Sequence, residues 1–329
     1  MEGLKKIQVF ALGGTIAMGP AELTGSGVTP SLSGEQLLAA VPTLSKVAQV
    51  SAETLLIIGS ANLTFGNIRL LVQHIEAAVA GGADGIVVTQ GTDTLEETAF
   101  LLSLVCDFGV PVIVTGAMRH PGQPGSDGPA NLFAAVTVAA STWAAGSGVY
   151  IVMNDQVLDP VYSRKRHTSS VAAFEAENGP LAVVVEEGVR GLSPGRHTKR
   201  LNPDRLDAPA RVALISAAYS DDALMLDLLT PDKVDGLVVE AFGGGHLPES
   251  WVDGVQKLAR LMPVVLTSRV GGGPLLTSTY GYKGAEIDLI QRGLIPSGWL
   301  DARKARLLLA LTARGGHAAI DDYFGEFRQ

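Results

Sequence analysis

The sequence predicts a two-domain α/β protein. The larger N-terminal domain, 1–190, carries a doubly wound, mainly parallel sheet with flanking helices, and a smaller α/β domain spans 211–329. Three observations predict it. Short apolar runs ending in Gly, Ser or Thr alternate with stretches of helical period. Glycine is abundant (39 of 329 residues) and aromatics are few (5%), which suits many tight strand-to-helix turns. Between the two parts, residues 191–210 hold Pro194, Pro203 and Pro209 and little periodicity, and they read as a linker.

The elements follow in order. Ile7 to Leu12 is a first strand, and Gly13-Gly14 then lets the backbone turn so that the Thr15 hydroxyl sits at the turn. Residues 18–33 are polar, glycine-rich and without period, and read as a long mobile loop of the kind that forms lids. Ser31 or Ser33 caps a short helix running to Val41. Thr54 to Gly59 is a buried strand ending at Ser60, and Asn67 to Ala80 has helical period. Gly85 to Thr89 is a strand leading through Gln90-Gly91-Thr92-Asp93 into a helix, where Thr94 and Glu97 fit a capping box. Val110 to Thr115 is a strand before Gly116-Ala117-Met118-Arg119. Ser126-Asp127-Gly128-Pro129-Ala130-Asn131 then opens a helix to Ala140, and Pro129 suits a first helical position. Gly148 to Met153 is a further strand, and the basic stretch 159–174 is a hairpin or extended segment. In the second part, strands are expected at 212–215, 236–240 and 264–267, with helices at 222–229, 249–261, 302–311 and 318–327.

In doubly wound sheets ligands bind outside the carboxyl ends of the strands, which puts Thr15, Ser60, Thr92, Asp93 and Ala117 on one edge. Composition narrows what they could do. A net charge of −8 argues against general nucleic-acid or anionic-membrane binding. The single cysteine, Cys106, forms no intrachain disulfide and lies in an apolar run, as a core residue would. No uncharged apolar run reaches membrane-spanning length, and no secretory signal is evident, so a cytoplasmic protein is expected.

Four chemistries are open to residues of these types. Phosphate cradling lacks its glycine spacing at the first strand. The six histidines are scattered, which gives no metal site. Gly59-Ser60-Ala61 is not a nucleophile elbow. What remains is a hydroxyl nucleophile assisted by lysine and aspartate. Thr92-Asp93 lies at a helix N-terminus, where free N–H groups and the dipole favour an anion. A lysine can act as base only when its amine, with a free pKa of about 10.4, is made neutral by burial or nearby cations. Lys165 lies between Arg164 and Arg166, which in an extended strand point to the opposite face.

Leu12-Gly13-Gly14-Thr15-Ile16-Ala17 and Thr89-Gln90-Gly91-Thr92-Asp93-Thr94-Leu95-Glu96-Glu97 resemble the two threonine signatures of bacterial-type L-asparaginases. Ile58-Gly59-Ser60, Thr115 to Arg119, Asp127-Gly128-Pro129-Ala130-Asn131-Leu132 and Val152 to Asp155 resemble family segments in the same order, so the likeness covers essentially the whole chain. The resemblance implies hydrolysis of L-asparagine to L-aspartate and ammonia through a threonine acyl-enzyme, with no cofactor and no metal. It implies Thr15 as the primary nucleophile, with Thr92, Asp93 and Lys165 completing the catalytic set. It implies Gly14, Ser60, Gly91, Thr92, Asp93 and Ala117 around the substrate, Ser60 on the α-carboxylate, Asp93 on the α-ammonium and the Ala117 carbonyl by the amide nitrogen. It further implies a homotetramer built from dimers, with His246 and Tyr280 as candidates for inter-subunit roles. Three features depart from the family. Residues 18–33 contain no tyrosine where the family loop carries one. Ala61 follows Ser60 where a long polar residue is usual. Tyr280 or Lys283 falls near the position of an inter-subunit glutamate, and Glu286 fits less well. The rival readings are a broader glutaminase-asparaginase, the amidase subunit of a tRNA-dependent amidotransferase, and a non-catalytic amino-acid sensor on the same scaffold.

Overall fold

A computed structural model describes residues 3–20, 27–146, 148–194 and 199–328. The chain divides into two compact units, Met1–Pro203 and Asp204–Gln329.

The first unit opens with β1 (Lys6–Gly13), β2 (Met18–Pro20), β3 (Val28–Pro30), α1 (Gly34–Ala39), β4 (Gln49–Ile58) and α2 (Phe65–Ala80). It continues with β5 (Gly85–Thr89), α3 (Leu95–Val105), β6 (Pro111–Thr115), α4 (Gly128–Ala140), β7 (Gly148–Met153) and β8 (Gln156–Leu158). It closes with β9 (Ser163–Lys165), β10 (Phe174–Ala176), β11 (Ala182–Val185) and β12 (Gly188–Gly191). Eight of these strands form one sheet in the order β12-β11-β8-β7-β6-β5-β1-β4. The run from β7 to β4 is parallel, while β8, β11 and β12 join antiparallel. β5 and β6 are buried at every position, as expected of strands covered by helices on both faces. Much of the core is aliphatic: Val9, Val87 and Ile113 of the sheet meet Leu132, Val136 and Val138 of α4.

The second unit holds β13 (Val212–Ser216), α5 (Leu224–Asp227), β14 (Gly236–Ala241), α6 (Glu249–Ala259), β15 (Val264–Ser268), α7 (Glu286–Gln291), β16 (Ile295–Pro296), α8 (Ala302–Thr312) and α9 (His317–Gly325). Its four strands pair in chain order, all parallel. The amphipathic α6 buries Trp251, Val252, Val255 and Leu258 against β14 and β15.

Several expectations need correction. Residues 18–33 are not structureless, because β2 and β3 pair as an antiparallel hairpin; the lid reading at 21–26 lies outside the described residues. The strand expected at Thr54 to Gly59 starts earlier, and it is not buried. β4 is a sheet edge whose outward residues reach solvent. Thr94 does occupy the N-cap of α3, but its side chain makes no cap hydrogen bond. Its hydroxyl donates instead to the Ser60 carbonyl at 3.0 Å, so a local sequence signature yields to a contact between two turns. The basic stretch is a hairpin, β9 on β10. The stretch 191–210 carries structure: Gly191 ends β12, the Leu201 amide donates to the Leu104 carbonyl at 2.7 Å, and Pro203–Leu206 forms a 3-10 turn. Residues 195–198 lie outside the description. Cys106 is buried, and burial pushes its thiol far up, as the core reading requires.

The reciprocal Thr64–Asn67 capping box starts α2, with the Asn67 amide donating to the Thr64 hydroxyl at 3.2 Å and the Thr64 amide donating to Asn67 Oδ1 at 2.9 Å. Thr64→Ala is expected to cost about 1 kcal/mol, seen as a lower urea midpoint with an unchanged slope.

Candidate active site

β6, β5, β1 and β4 lie side by side and parallel, and their carboxyl ends run into Ala117, Thr92, Thr15 and Ser60. From β1 the chain winds first to β4 on one side, then to β5, β6 and β7 on the other. The reversal lies between β1 and β5, the place where doubly wound sheets bind their ligands. Thr15 and Thr92 follow those two strands.

Two glycines let the turns meet. Gly14 has φ +81°, and its amide donates to the Ile58 carbonyl at 3.1 Å. A Cβ on Gly14 would overlap the backbone nitrogen and Cα of Gly91. A Cβ on Gly91 would in turn sit 2.7 Å from Ser60 Oγ. So the turns carrying Thr15, Thr92 and Ser60 pack backbone against backbone. Thr15 starts a 3-10 turn, Thr15–Ala17, which Ile16 and Ala17 anchor in the core while Thr15 itself stays half-buried. Ser60 is buried, and its Oγ accepts the Asp93 N–H at 3.2 Å. That leaves the serine proton available to an incoming acceptor such as a carboxylate.

Lys165 reaches this edge from β9. Its Nζ donates to Thr92 Oγ1 at 2.8 Å and to Asp93 Oδ1 at 2.7 Å. Thr92 is buried and the Lys165 side chain is 16% exposed, whereas the Asp93 side chain is 70% exposed. The lysine therefore bridges a covered hydroxyl and a carboxylate at the solvent mouth. Its main chain is tied as well: the Lys165 amide donates to Oε1 of the buried Glu96 at 3.4 Å, and Lys165 pairs with Phe174 across the hairpin.

The expected residues Gly14, Thr15, Ser60, Gly91, Thr92, Asp93, Ala117 and Lys165 thus all belong to one strand edge of the first unit. His246 and Tyr280 do not; they lie in the second unit, their rings edge to face at 5.0 Å. Beside them Glu286 is fully buried. Its Oε1 accepts the amides of Thr279 at 2.8 Å and Tyr280 at 2.6 Å, and its Oε2 lies 3.3 Å from His246 Nε2. Burial pushes this carboxyl up, but the Tyr280 and Thr279 amides, its own backbone amide and His246 outweigh that and hold it below the usual carboxylate value. Sequence reasoning missed the support of the site by Glu96, and it missed the use of Asp127 and Asn131. The latter pair was visible as part of a motif without an assigned role. Among the described residues, no group of three or more His, Cys, Asp or Glu is placed to hold a metal.

A family model described as "Asparaginase, N-terminal" matches residues 6–194, and one described as "Glutaminase/Asparaginase C-terminal domain" matches 211–324. The chain belongs to the asparaginase family. It is 35% identical to a probable L-asparaginase of Deinococcus radiodurans, over 97% of this chain and 96% of the relative. It is also 35% identical to L-asparaginase 2 of Escherichia coli, over 98% and 94%. A crystal structure of a probable cytoplasmic L-asparaginase from Campylobacter jejuni superposes with a TM-score of 0.87, at 29% identity, over 97% of this chain and 99% of the other. That asparaginase fold, with its two α/β units, is the one described above.

Two outcomes follow from the geometry. Gly14→Ala forces a side chain into the Gly91 backbone at positive φ, and is expected to cost more than about 2 kcal/mol of stability, read by urea unfolding. Glu286 has a folded pKa below its ordinary 4.5. Its contribution is therefore present above that value and is lost as pH falls through the lower folded value. The stability gap between wild type and Glu286→Gln should narrow on acidification below pH 4.5, as followed by denaturant midpoints across the acid range.

Proposed function

We propose that this asparaginase-family protein hydrolyses L-asparagine to L-aspartate and ammonia through a threonine acyl-enzyme. One observation carries the reading: Lys165 donates at once to the Thr92 hydroxyl and the Asp93 carboxylate, beside the Thr15 turn. Pure binding of an amino acid needs no lysine on a covered hydroxyl, whereas proton transfer does.

In this reading Ser60 donates to the substrate α-carboxylate, and the exposed Asp93 carboxylate accepts from the α-ammonium. The side-chain amide then lies in the crevice between the two threonine turns. Thr15 Oγ attacks the amide carbon, and backbone N–H groups of the Gly91–Thr92 turn, at the N-terminal end of α3, stabilise the oxyanion. Ammonia leaves past the Ala117 carbonyl, and a water attacks the resulting ester. Thr92 and Lys165 move the protons, with the amine of Lys165 in its neutral form when it accepts one. Assembly into a homotetramer of dimers belongs to the same reading, with Tyr280 and His246 as the residues a neighbouring subunit lends. So does a cytoplasmic location. The Campylobacter relative is called a probable cytoplasmic L-asparaginase, and among the described residues no helix is long and apolar enough to cross a membrane.

L-Glutamine is the second substrate to weigh. The C-terminal family is described as glutaminase/asparaginase, and the residue after Ser60 is the small, exposed Ala61, which leaves room for a longer side chain.

The test is ammonia release from both amino acids by wild type and by three variants. Thr15→Ala and Thr92→Val are each expected to lower kcat by roughly 10³-fold or more, and Lys165→Met by about 10²–10⁴-fold. The wild-type ratio fixes the preferred amide. Absence of ammonia from either substrate, with asparagine still bound in calorimetry, would replace hydrolysis by sensing.

A further inference from the structure

The steps above make no use of Asp127 and Asn131, although these side chains take up much of the polar bonding around Ala117. The Asp127 carboxylate accepts the Met118 N–H with both oxygens, at 3.1 and 3.0 Å, and the Arg119 N–H at 2.9 Å. Asn131 is 2% exposed. Its Nδ2 donates to the Gly116 carbonyl and to Asp127 Oδ2, both at 3.0 Å, and its Oδ1 accepts the Asn154 amide at 2.9 Å. Asp127 occupies the N-cap of α4, the place where an aspartate ordinarily caps the helix, yet it makes no cap hydrogen bond. The capping oxygen serves the loop instead.

We infer that Asp127, braced by Asn131, is a positioning residue that aims the Ala117 carbonyl at the amide nitrogen of the substrate. This rests on the role proposed for that carbonyl above. The argument is one of planarity. A trans peptide holds its C=O and the following N–H antiparallel in one plane. Asp127 grips the Met118 N–H, so the Ala117 carbonyl of the same plane points away from the carboxylate. Asn131 pins the preceding plane through the Gly116 carbonyl, so neither peptide next to Ala117 can rotate freely. The clamp leaves the Ala117 oxygen itself to the crevice. It is also tied to the nucleophile's turn: a Cβ on Gly128, next to Asp127, would lie 3.0 Å from Ile16 Cγ1 and 3.5 Å from Ala117 Cβ.

A carbonyl aimed at an N–H donor matters only to a substrate that has one. The experiment compares L-asparagine with the β-methyl ester of L-aspartate, whose leaving oxygen carries no hydrogen. Asp127→Ala is expected to lower kcat/KM on asparagine by about 10- to 100-fold while leaving ester hydrolysis within roughly threefold of wild type. Asp127→Asn retains one oxygen for the Met118 amide and should show a smaller loss with the same selectivity for the amide. It keeps the test open if the alanine variant fails to fold. Equal losses on amide and ester, or no loss on either, would overturn the positioning role and leave the hydrolase reading intact. A wild type that releases no ammonia would overturn the hydrolase reading, and this inference with it.

Discussion

The site depends on the close approach of two backbones that carry no side chains. Gly14 and Gly91 follow adjacent parallel strands, and any Cβ on the first would overlap the second. That approach brings the Thr15 and Thr92 turns together at the point where the winding of the sheet reverses. Ser60 completes the junction: its Oγ takes the Asp93 amide, its carbonyl takes the Thr94 hydroxyl, and its side chain occupies the space that a residue larger than glycine at position 91 would fill. Three turns that are remote in sequence therefore behave as one rigid piece, and groups mounted on it need little reorganisation.

Lys165 belongs to no strand of this sheet. It arrives on a short hairpin, and hairpins of this size are weak on their own. Its position follows from being held at both ends. Thr92 and Asp93 receive the amine, and Glu96, one turn further along the same segment, receives the main-chain amide. The residues that define the site thus also define where its lysine stands. Because the carboxylate end is exposed, the Lys165–Asp93 pair is weakened by water and salt. The covered Thr92 end governs the geometry.

Much of this was legible in the sequence. The alternation of strand and helix predicted the parallel sheet, and the carboxyl-end rule predicted which turns would gather. The family resemblance, counted back from the stretch Thr168 to Phe174, implied Lys165, and the fold puts its amine on Thr92 and Asp93. What failed was local inference applied to residues with distant partners. Thr94 and Glu97 match a capping box, but Thr94 bonds to Ser60, 34 positions away. Asp127 opens α4 at its N-cap, yet its carboxylate bonds to Met118 and Arg119 across a loop. Residues 18–33 look structureless because β2 and β3 are three-residue strands, too short for any period to show. Glu96 reads as an ordinary first-turn acid of a helix, and only the fold puts it under Lys165.

Glu286 shows why an acid near an expected position need not serve chemistry. Of Tyr280, Lys283 and Glu286, which fall near the position of the family's inter-subunit glutamate, it is the one acid, though the alignment favours Tyr280 or Lys283. Its side chain has no exposure, and one oxygen is already taken by two amides of the preceding loop. Withdrawing it would break two part-buried, charge-assisted hydrogen bonds to that loop. A carboxylate bound in this way fixes the loop through one oxygen and faces His246 with the other. The loop it fixes carries Tyr280 and Tyr282, which are 44% and 56% exposed and pack edge-on or tilted against His246. In the proposed assembly the buried acid therefore acts indirectly, by holding the ring that has the hydroxyl and the access. In that proposed assembly Tyr280 is the residue whose exposed ring has the access to face a neighbouring site.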